Sequence, residues 1–374
     1  MKKISWITPE YFIDVDLPVI KYLRKCFEIR LILVLPAKGI DNKKYVQSFL
    51  GDNGGVDIHY VYLQGRARSL RNISCYNKII SIAKAFQPDF YYISFMGMPY
   101  ALPLYMFRLY IKKCIVPCHN VSTPKGATNE KMAEVYKNWW LKTFKNIQVF
   151  SQSQYKILTN LHRNKNILMA HLMIKDYGNP TIAYPQDDVI RFLFFGNVVR
   201  YKRLDLLLEA VNILYDRGIS NFKLIIAGNC KTWESYSGLI KHKNLVETRI
   251  ERIPNEDVAN LFAQSHYFVM PYQDIAQSGA ITVAFRYNIP TIVSDIPQFK
   301  EFVVEGKTTL TFESQNANSL ADSMQYAIKH HKEIYLKLCK NQKKFVDKHF
   351  ADDVIIGKYV DFFKGLSKAG NRKI

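Results

Sequence analysis

Two hydrophobic rhythms alternate along the chain. Short runs rich in β-branched and aromatic residues are separated by longer stretches with an apolar residue every three or four positions. In the first half the short runs are 3–7, 29–35, 58–62, 90–94, 114–117 and 147–150, and the long ones 17–26, 76–86, 102–111 and 130–144. Strands of this kind alternating with amphipathic helices predict a parallel sheet with helices on its faces. A turn-rich stretch, Asp176-Tyr177-Gly178-Asn179-Pro180 and then Pro185-Gln186-Asp187-Asp188, interrupts the pattern and reads as a linker. Beyond it the alternation restarts, with strands at 190–195, 222–227, 267–270 and 291–294 and helices at 203–216, 256–265 and 279–287. The pattern predicts an α/β protein of two doubly wound domains, 1–180 and 188–350. A helical tail over 351–374 follows, with the first domain as one place for it to pack. Ligands of such folds sit outside the carboxyl ends of the strands, so a cleft between the domains is the expected site.

Composition narrows the class. The 374 residues are 48% apolar and 22% charged, ordinary for a globular protein and unlike a disordered chain. Lys and Arg number 52 against 32 Asp and Glu. Residues 1–180 hold 26 and 11 of these, a balance of +15; residues 181–374 hold 26 and 21, a balance of +5. Between Arg66 and Lys125 the only acid is Asp89. The first half therefore calls for an anionic partner, although a soluble protein of high pI gives the same count. Met1-Lys2-Lys3 runs into an apolar region too short for a signal peptide. The longest apolar run, 93–107, is interrupted by Pro99 and Pro103 and is too short to span a bilayer. Six scattered cysteines show no paired metal spacing. Cytoplasmic residence is expected.

Chemistry concentrates where a strand ends in Gly196-Asn197 and Val198-Val199-Arg200-Tyr201-Lys202-Arg203 leads into a helix. Gly196 lets the chain turn sharply, and Arg200, Lys202 and Arg203 gather positive charge beside a helix amino terminus, which suits a diphosphate. A tight turn with solvated lysines has the same look. Farther on, Ser278-Gly279 opens another helix whose free N–H groups can hold a phosphate; Ser278 as a plain helix cap is the alternative.

From Phe194 to Ala210 the chain resembles the segment that opens the donor domain of GT-B glycosyltransferases of the family 4 (group 1) type. Leu224-Ile225-Ile226-Ala227-Gly228, Ile253-Pro254 through Phe262, Phe268-Val269-Met270-Pro271, Ile289-Pro290 through Asp295, and Glu301 through Gly306 are similar to the family's later motifs, in order. The match covers about 190–320. The first half is similar mainly through Pro117-Cys118-His119-Asn120 and Val149-Phe150-Ser151-Gln152-Ser153.

The resemblance implies a GT-B fold of two Rossmann-like domains, acceptor-binding then donor-binding, with a nucleoside diphosphate sugar as donor substrate and no cofactor. It implies that Lys202 contacts the donor diphosphate. The family's neighbouring Arg is Asn197 here, so Arg200 or Arg203 stands in. Gly196, Gly228, Arg252, Ile253 and Glu301 fall at the family's donor-site positions, the loop with Arg252 and Ile253 taking the base. The family's two glutamates are replaced by Ile275 and Val283 in a Gln277-Ser278-Gly279 variant. Gln277, Ser278 and Gly279 are left for the donor, and Asp274 for a sugar hydroxyl. His119 is the candidate for acceptor orientation or proton handling, with a structural histidine as the alternative. Asp14 and Asp16 are candidates for acceptor hydroxyls, or solvated loop acids. Nothing requires a metal: Asp14-Val15-Asp16 has a metal-site spacing but precedes Pro18 at a helix start.

The implied reaction moves a sugar to a glycan acceptor, lipid-linked, in bacterial surface polysaccharide synthesis, with retention. An anionic inner leaflet would account for the basic first half. Arg66, Arg68 and Arg71 are the preferred contacts; the aromatic–basic stretches 105–113 and 138–145 are compatible with interfacial seating, and equally with burying their apolar stripe in the core, the favoured reading for Trp139-Trp140. A degenerate or sugar-nucleotide-binding protein without transferase activity, and another GT-B enzyme such as an epimerase, are the rival readings. Nucleic acid is disfavoured, since no aromatic–basic recognition motif is present.

Overall fold

A computed structural model describes residues 1–37, 43–51, 55–65, 69–95, 101–122, 130–183 and 187–371. The chain separates into two compact units, one formed by Met1–Ser122, Lys131–Met173 and Asp352–Ile374, the other by Ile174–Ala351.

In the first unit the strands are β1 (Lys2–Pro9), β2 (Phe27–Leu35), β3 (Val56–Tyr62), β4 (Phe90–Ile93), β5 (Cys114–Pro117), β6 (Asn146–Val149) and β7 (Asn166–Met169). Among the described residues they pair in parallel in the order β3-β2-β1-β4-β5-β6-β7. The helices between them are α1 (Ile13–Leu23), α2 (Lys43–Leu50), α3 (Ile73–Ala85), α4 (Ala101–Arg108), α5 (Glu130–Thr143) and α6 (Gln152–Leu161). Register is set at β1, where Ile4 lies opposite Ile29 on one side and Phe90 on the other. Both faces of the sheet are covered, as continuous apolar strands require. Ile7, Ile32, Tyr76, Tyr105, Trp140 and Ile147 pack on the face under α3, α4 and α5. Trp6, Leu17, Ile20, Leu31 and Tyr92 pack on the other, under α1.

The second unit repeats the plan with β8 (Ile190–Phe195), β9 (Phe222–Ala227), β10 (Val246–Arg249), β11 (Tyr267–Met270), β12 (Thr291–Ser294) and β13 (Thr309–Phe312). Their order is β10-β9-β8-β11-β12-β13. The helices are α7 (Leu204–Asp216), α8 (Glu234–Ser237), α9 (Asn255–Ala263), α10 (Gly279–Arg286), α11 (Ala317–Lys329) and α12 (His331–His349). The strand order reverses between β1 and β4 in one unit and between β8 and β11 in the other, and such switch points open crevices at the strand ends.

The last helix, α13 (Asp352–Asn371), belongs to the first unit. Phe363 lies 5.4 Å from the Phe27 ring and 5.2 Å from that of Phe90. The Tyr359 hydroxyl accepts a hydrogen bond from the Gln148 amide, whose oxygen accepts from Tyr92.

Helix α1 starts at Ile13, a turn ahead of the expected 17, and carries Pro18 inside it. A proline there removes a single helical donor, and Asp14 and Asp16 become first-turn residues. The apolar rhythm missed α2, α6, α8, β7, β10 and β13. Strand β10 (Val-Glu-Thr-Arg) has no buried residue, so an edge strand of this kind carries no hydrophobic signal.

Candidate functional site

The site is built from two strand ends that nearly touch. Gly196 follows β8 and donates its N–H to the Ala227 carbonyl at 2.8 Å; Gly228 follows β9 and donates to that of Arg249 at 3.0 Å. Gly228 has φ +146°, and a Cβ added to it would stand 2.2 Å from the Gly196 carbonyl oxygen. Only glycine fits this close approach. Past Gly196 (φ +101°) the chain makes a 3-10 turn at Arg200–Lys202, and Arg203, in the left-handed region at φ 51°, starts α7. The fold-back sets the Lys202 ammonium 3.1 Å from the position a Gly196 Cβ would occupy.

Lys202 is 9% exposed. Among the described residues its side chain has no ion-pair or hydrogen-bond partner, and its Nζ lies 5.4 Å from the centre of the Tyr272 ring. Burial lowers its pKa to about 8. Tyr272 is itself buried, with its hydroxyl unpaired among the described residues, and burial raises its pKa. Tyr201 stands edge-on to that ring at 6.0 Å, and its carbonyl accepts from the Gln273 N–H at 2.9 Å. A buried ammonium with an aromatic face and no carboxylate is costly by itself and is offset by an anion.

The neighbouring cations are placed differently. Arg203 grips Asp205 through Nε at 3.1 and 3.0 Å and through a second guanidinium nitrogen at 2.9 Å, which ties it down; Arg200 and Asn197 are exposed. At α10 the Ser278 hydroxyl accepts from the Ile281 N–H at 3.2 Å, so Ser278 caps the helix. Lys175, just ahead of the stretch read as linker, lays its Cε and Nζ 3.5 and 3.7 Å from where a Gly279 Cβ would be. The sequence reading missed this cation, because a lone lysine in a turn carries no signal. It also missed Tyr272 and Gln298. The Asp274 carboxylate accepts from the Ile275 N–H at 2.8 Å and from the Gln298 amide at 3.1 Å. Ile275 and Val283 are 2% and 1% exposed and serve the core. Gln277 and Glu301 are half-buried, Arg252 is exposed, and Ile253 packs against the core of the unit.

In the first unit, His119 follows β5. Its ring is stacked between Phe12 at 4.3 Å and Phe150 at 4.4 Å, which fixes the imidazole plane. Asp14 is half-buried. Asp16 is 3% exposed and accepts from the Thr8 hydroxyl; burial raises its pKa to about 6. Its carboxylate lies beside Thr8, Ser94 and Trp6 in the first turn of α1, so Asp16 is a buried helix acid and not the solvated loop acid of the alternative reading. Arg71 is exposed; Arg66 and Arg68 lie outside the described residues. Cys114 and Cys118 are buried thiols whose pKa burial raises, to about 11 for Cys118.

Two parallel doubly wound sheets, each with a switch point, define a protein of the GT-B glycosyltransferase fold. Residues 183–345 match the family model described as Glycosyl transferases group 1. An uncharacterized glycosyltransferase of Methanocaldococcus jannaschii is 24% identical over 195 residues, 52% of this chain. The match spans about half the length of that curated relative, 54%. Among solved structures, a glycosyltransferase from Rickettsia africae superposes with a TM-score of 0.70 at 16% identity, over 98% of this chain and 99% of that one. The Anabaena protein HepE, in complex with UDP and glucose, does so at 0.71 and 12% identity, over 98% and 100%. Among the described residues, no helix is long and apolar enough to cross a membrane.

Proposed function

We propose that the protein transfers a sugar, with retention, from a nucleoside diphosphate sugar to a glycan acceptor carried on a lipid at the inner face of a cell membrane, in surface polysaccharide synthesis. The observation that carries the reading is Lys202, a buried ammonium set against Gly196 and Tyr272 without a carboxylate partner among the described residues. As the bond between the anomeric carbon and the diphosphate breaks, negative charge grows on the leaving group. Lys202 and the amino terminus of α10 with Lys175 would hold that charge. Gly196 and Gly228 leave room for close approach of the phosphates. Asp274, oriented by Gln298, and Gln277 and Glu301 serve the sugar; Arg252 and Ile253 serve the base. His119, its plane fixed by two phenylalanine rings, orients the acceptor hydroxyl, and half-buried Asp14 is a second acceptor contact. The side-chain cations supply the positive charge, so transfer proceeds without a divalent metal and survives EDTA.

The co-occurrence of UDP and glucose in the HepE complex supports a UDP-sugar as the first donor to try. The test is a panel of nucleoside diphosphate sugars scored by thermal shift and by release of nucleoside diphosphate, with the Lys202→Ala protein as control. Stabilisation and turnover by at least one donor, both lost in Lys202→Ala, are expected. A panel in which no donor stabilises the parent protein overturns the reading.

A further inference from the structure

Helices α3 and α4 carry cations and no acid. Across residues 58–129 the only Asp or Glu is Asp89, which, just ahead of β4, is occupied by the Lys3 backbone N–H at 2.9 Å. Arg71, Lys78, Arg108 and Lys112 are all exposed. Between these cations the same two helices and their flanks present large apolar side chains to water. Phe107 is 86% exposed, Leu70 69%, Tyr110 58% and Ile73 39%. A monomer usually buries a phenylalanine, and a cluster of exposed large apolar residues rimmed by one sign of charge marks a docking surface.

The residues share one surface. Ile73 and Asn77 are four apart on α3 and so stand one above the other; Asn77 accepts a hydrogen bond from Arg108, the chain neighbour of Phe107. The adjoining α5, joined to α4 through the Tyr105–Trp140 ring contact at 6.0 Å, adds Val135 and Trp139 at 72% and 43% exposure, again four apart; the exposed acid beside them, Glu134, is paired with Lys137 at 3.6 Å. Of the tryptophan pair, Trp140 is buried and stacked on Phe144, so the helix has one partner inside the sheet core and one outside.

We infer that this α3–α4–α5 face seats the first unit on an anionic lipid bilayer, with Phe107 as the inserted apolar anchor and Arg71, Lys78, Arg108 and Lys112 against the headgroups. Exposed aromatic and aliphatic groups interleaved with cations fit the headgroup boundary, where apolar burial and charge attraction act together. An acidic protein partner would satisfy the cations, but it does not require apolar groups spread over three helices. The inference rests on the membrane-borne acceptor proposed above and gives it a place on the molecule.

The test is co-sedimentation of the full chain with phosphatidylcholine vesicles and with vesicles containing phosphatidylglycerol. Binding to the anionic vesicles is expected, falling as salt rises. Phe107→Ser should weaken it about tenfold, and Arg71→Glu with Lys112→Glu about fivefold or more per cation. All these positions are exposed, so the melting temperature should hold, and UDP-sugar binding, which belongs to the second unit, should be unchanged. Equal binding to neutral and anionic vesicles overturns the inference. So does full vesicle binding by Phe107→Ser, or a vesicle-free oligomer of the parent that Phe107→Ser dissolves. Loss of UDP-sugar binding in the parent would count against the transferase reading and leave vesicle binding to be judged alone.

Discussion

The ammonium of Lys202 lies 5.4 Å from the centre of the Tyr272 ring, and burial lowers its pKa from 10.5 to about 8. A depressed lysine pKa means that the unfolded chain binds the proton more readily than the folded one. Stability from this group is therefore complete only above pH about 10.5 and declines as pH falls through about 8. In the absence of donor, Lys202→Met should be at least as stable as the parent at pH 7, and the advantage should vanish near pH 10. A diphosphate reverses the balance by restoring the ammonium: UDP affinity of the parent should weaken as pH rises from 7 to 9.5, and Lys202→Ala should lose about ten- to a hundredfold at pH 7. Calorimetric titration at both pH values decides it.

Gly228→Ala should be the most disruptive single-methyl change in the second unit. Its Cβ would meet the Gly196 carbonyl oxygen at 2.2 Å, and the backbone is at φ +146°. Strain of about 1–3 kcal/mol is expected, read as a drop in urea midpoint. Because the displaced atom belongs to Gly196, donor affinity should fall as well. Unchanged affinity would mean that the two strand ends move independently.

Ser278→Ala removes the hydroxyl that accepts from Ile281. A lost helix cap costs about 1 kcal/mol, and Ser278→Gly should cost only a few tenths. The pair of variants in chemical denaturation separates capping from donor contact, since both lack the hydroxyl and both would lose a contact made by it.

Two buried groups should tilt stability in opposite directions on acidification. His266 is 3% exposed and its Nδ1 accepts from the Arg191 N–H at 3.0 Å; burial lowers its pKa to about 4. The neutral ring is the folded form, so its contribution is whole above pH about 6.5 and is lost as pH falls through about 4. Asp16 has a raised pKa of about 6, so its contribution grows as pH falls from about 6 toward 3.8. Asp16→Asn should raise the melting temperature at pH 7, with the gain disappearing near pH 4. His266→Asn should flatten the acid limb between pH 6.5 and 4.

The legible part of this fold was the part made of apolar strands. The runs at 114–117, 190–195, 222–227, 267–270 and 291–294 are strands with those bounds. A strand covered on both faces has to be apolar throughout, and that requirement is visible in one dimension. Strand β10 and helix α2 answer to partners in space and were invisible for that reason.

The site divides along the same line. The glycine at each strand end and the basic turn before α7 are local necessities of a chain that must bend sharply, and the sequence by itself determined them, along with the surplus of charge in the first half. Only the tertiary structure decided which cation is buried with no partner among the described residues and which is spent on a neighbour: Lys202 against Tyr272, Arg203 on Asp205. It also drew Lys175 to Gly279 from 104 positions away and buried Asp16 of α1 against β1. Burial and pairing depend on which segments pack together, and a carboxylate's or ammonium's chemistry depends on burial, so the roles of these side chains were settled only when the sheets closed over them.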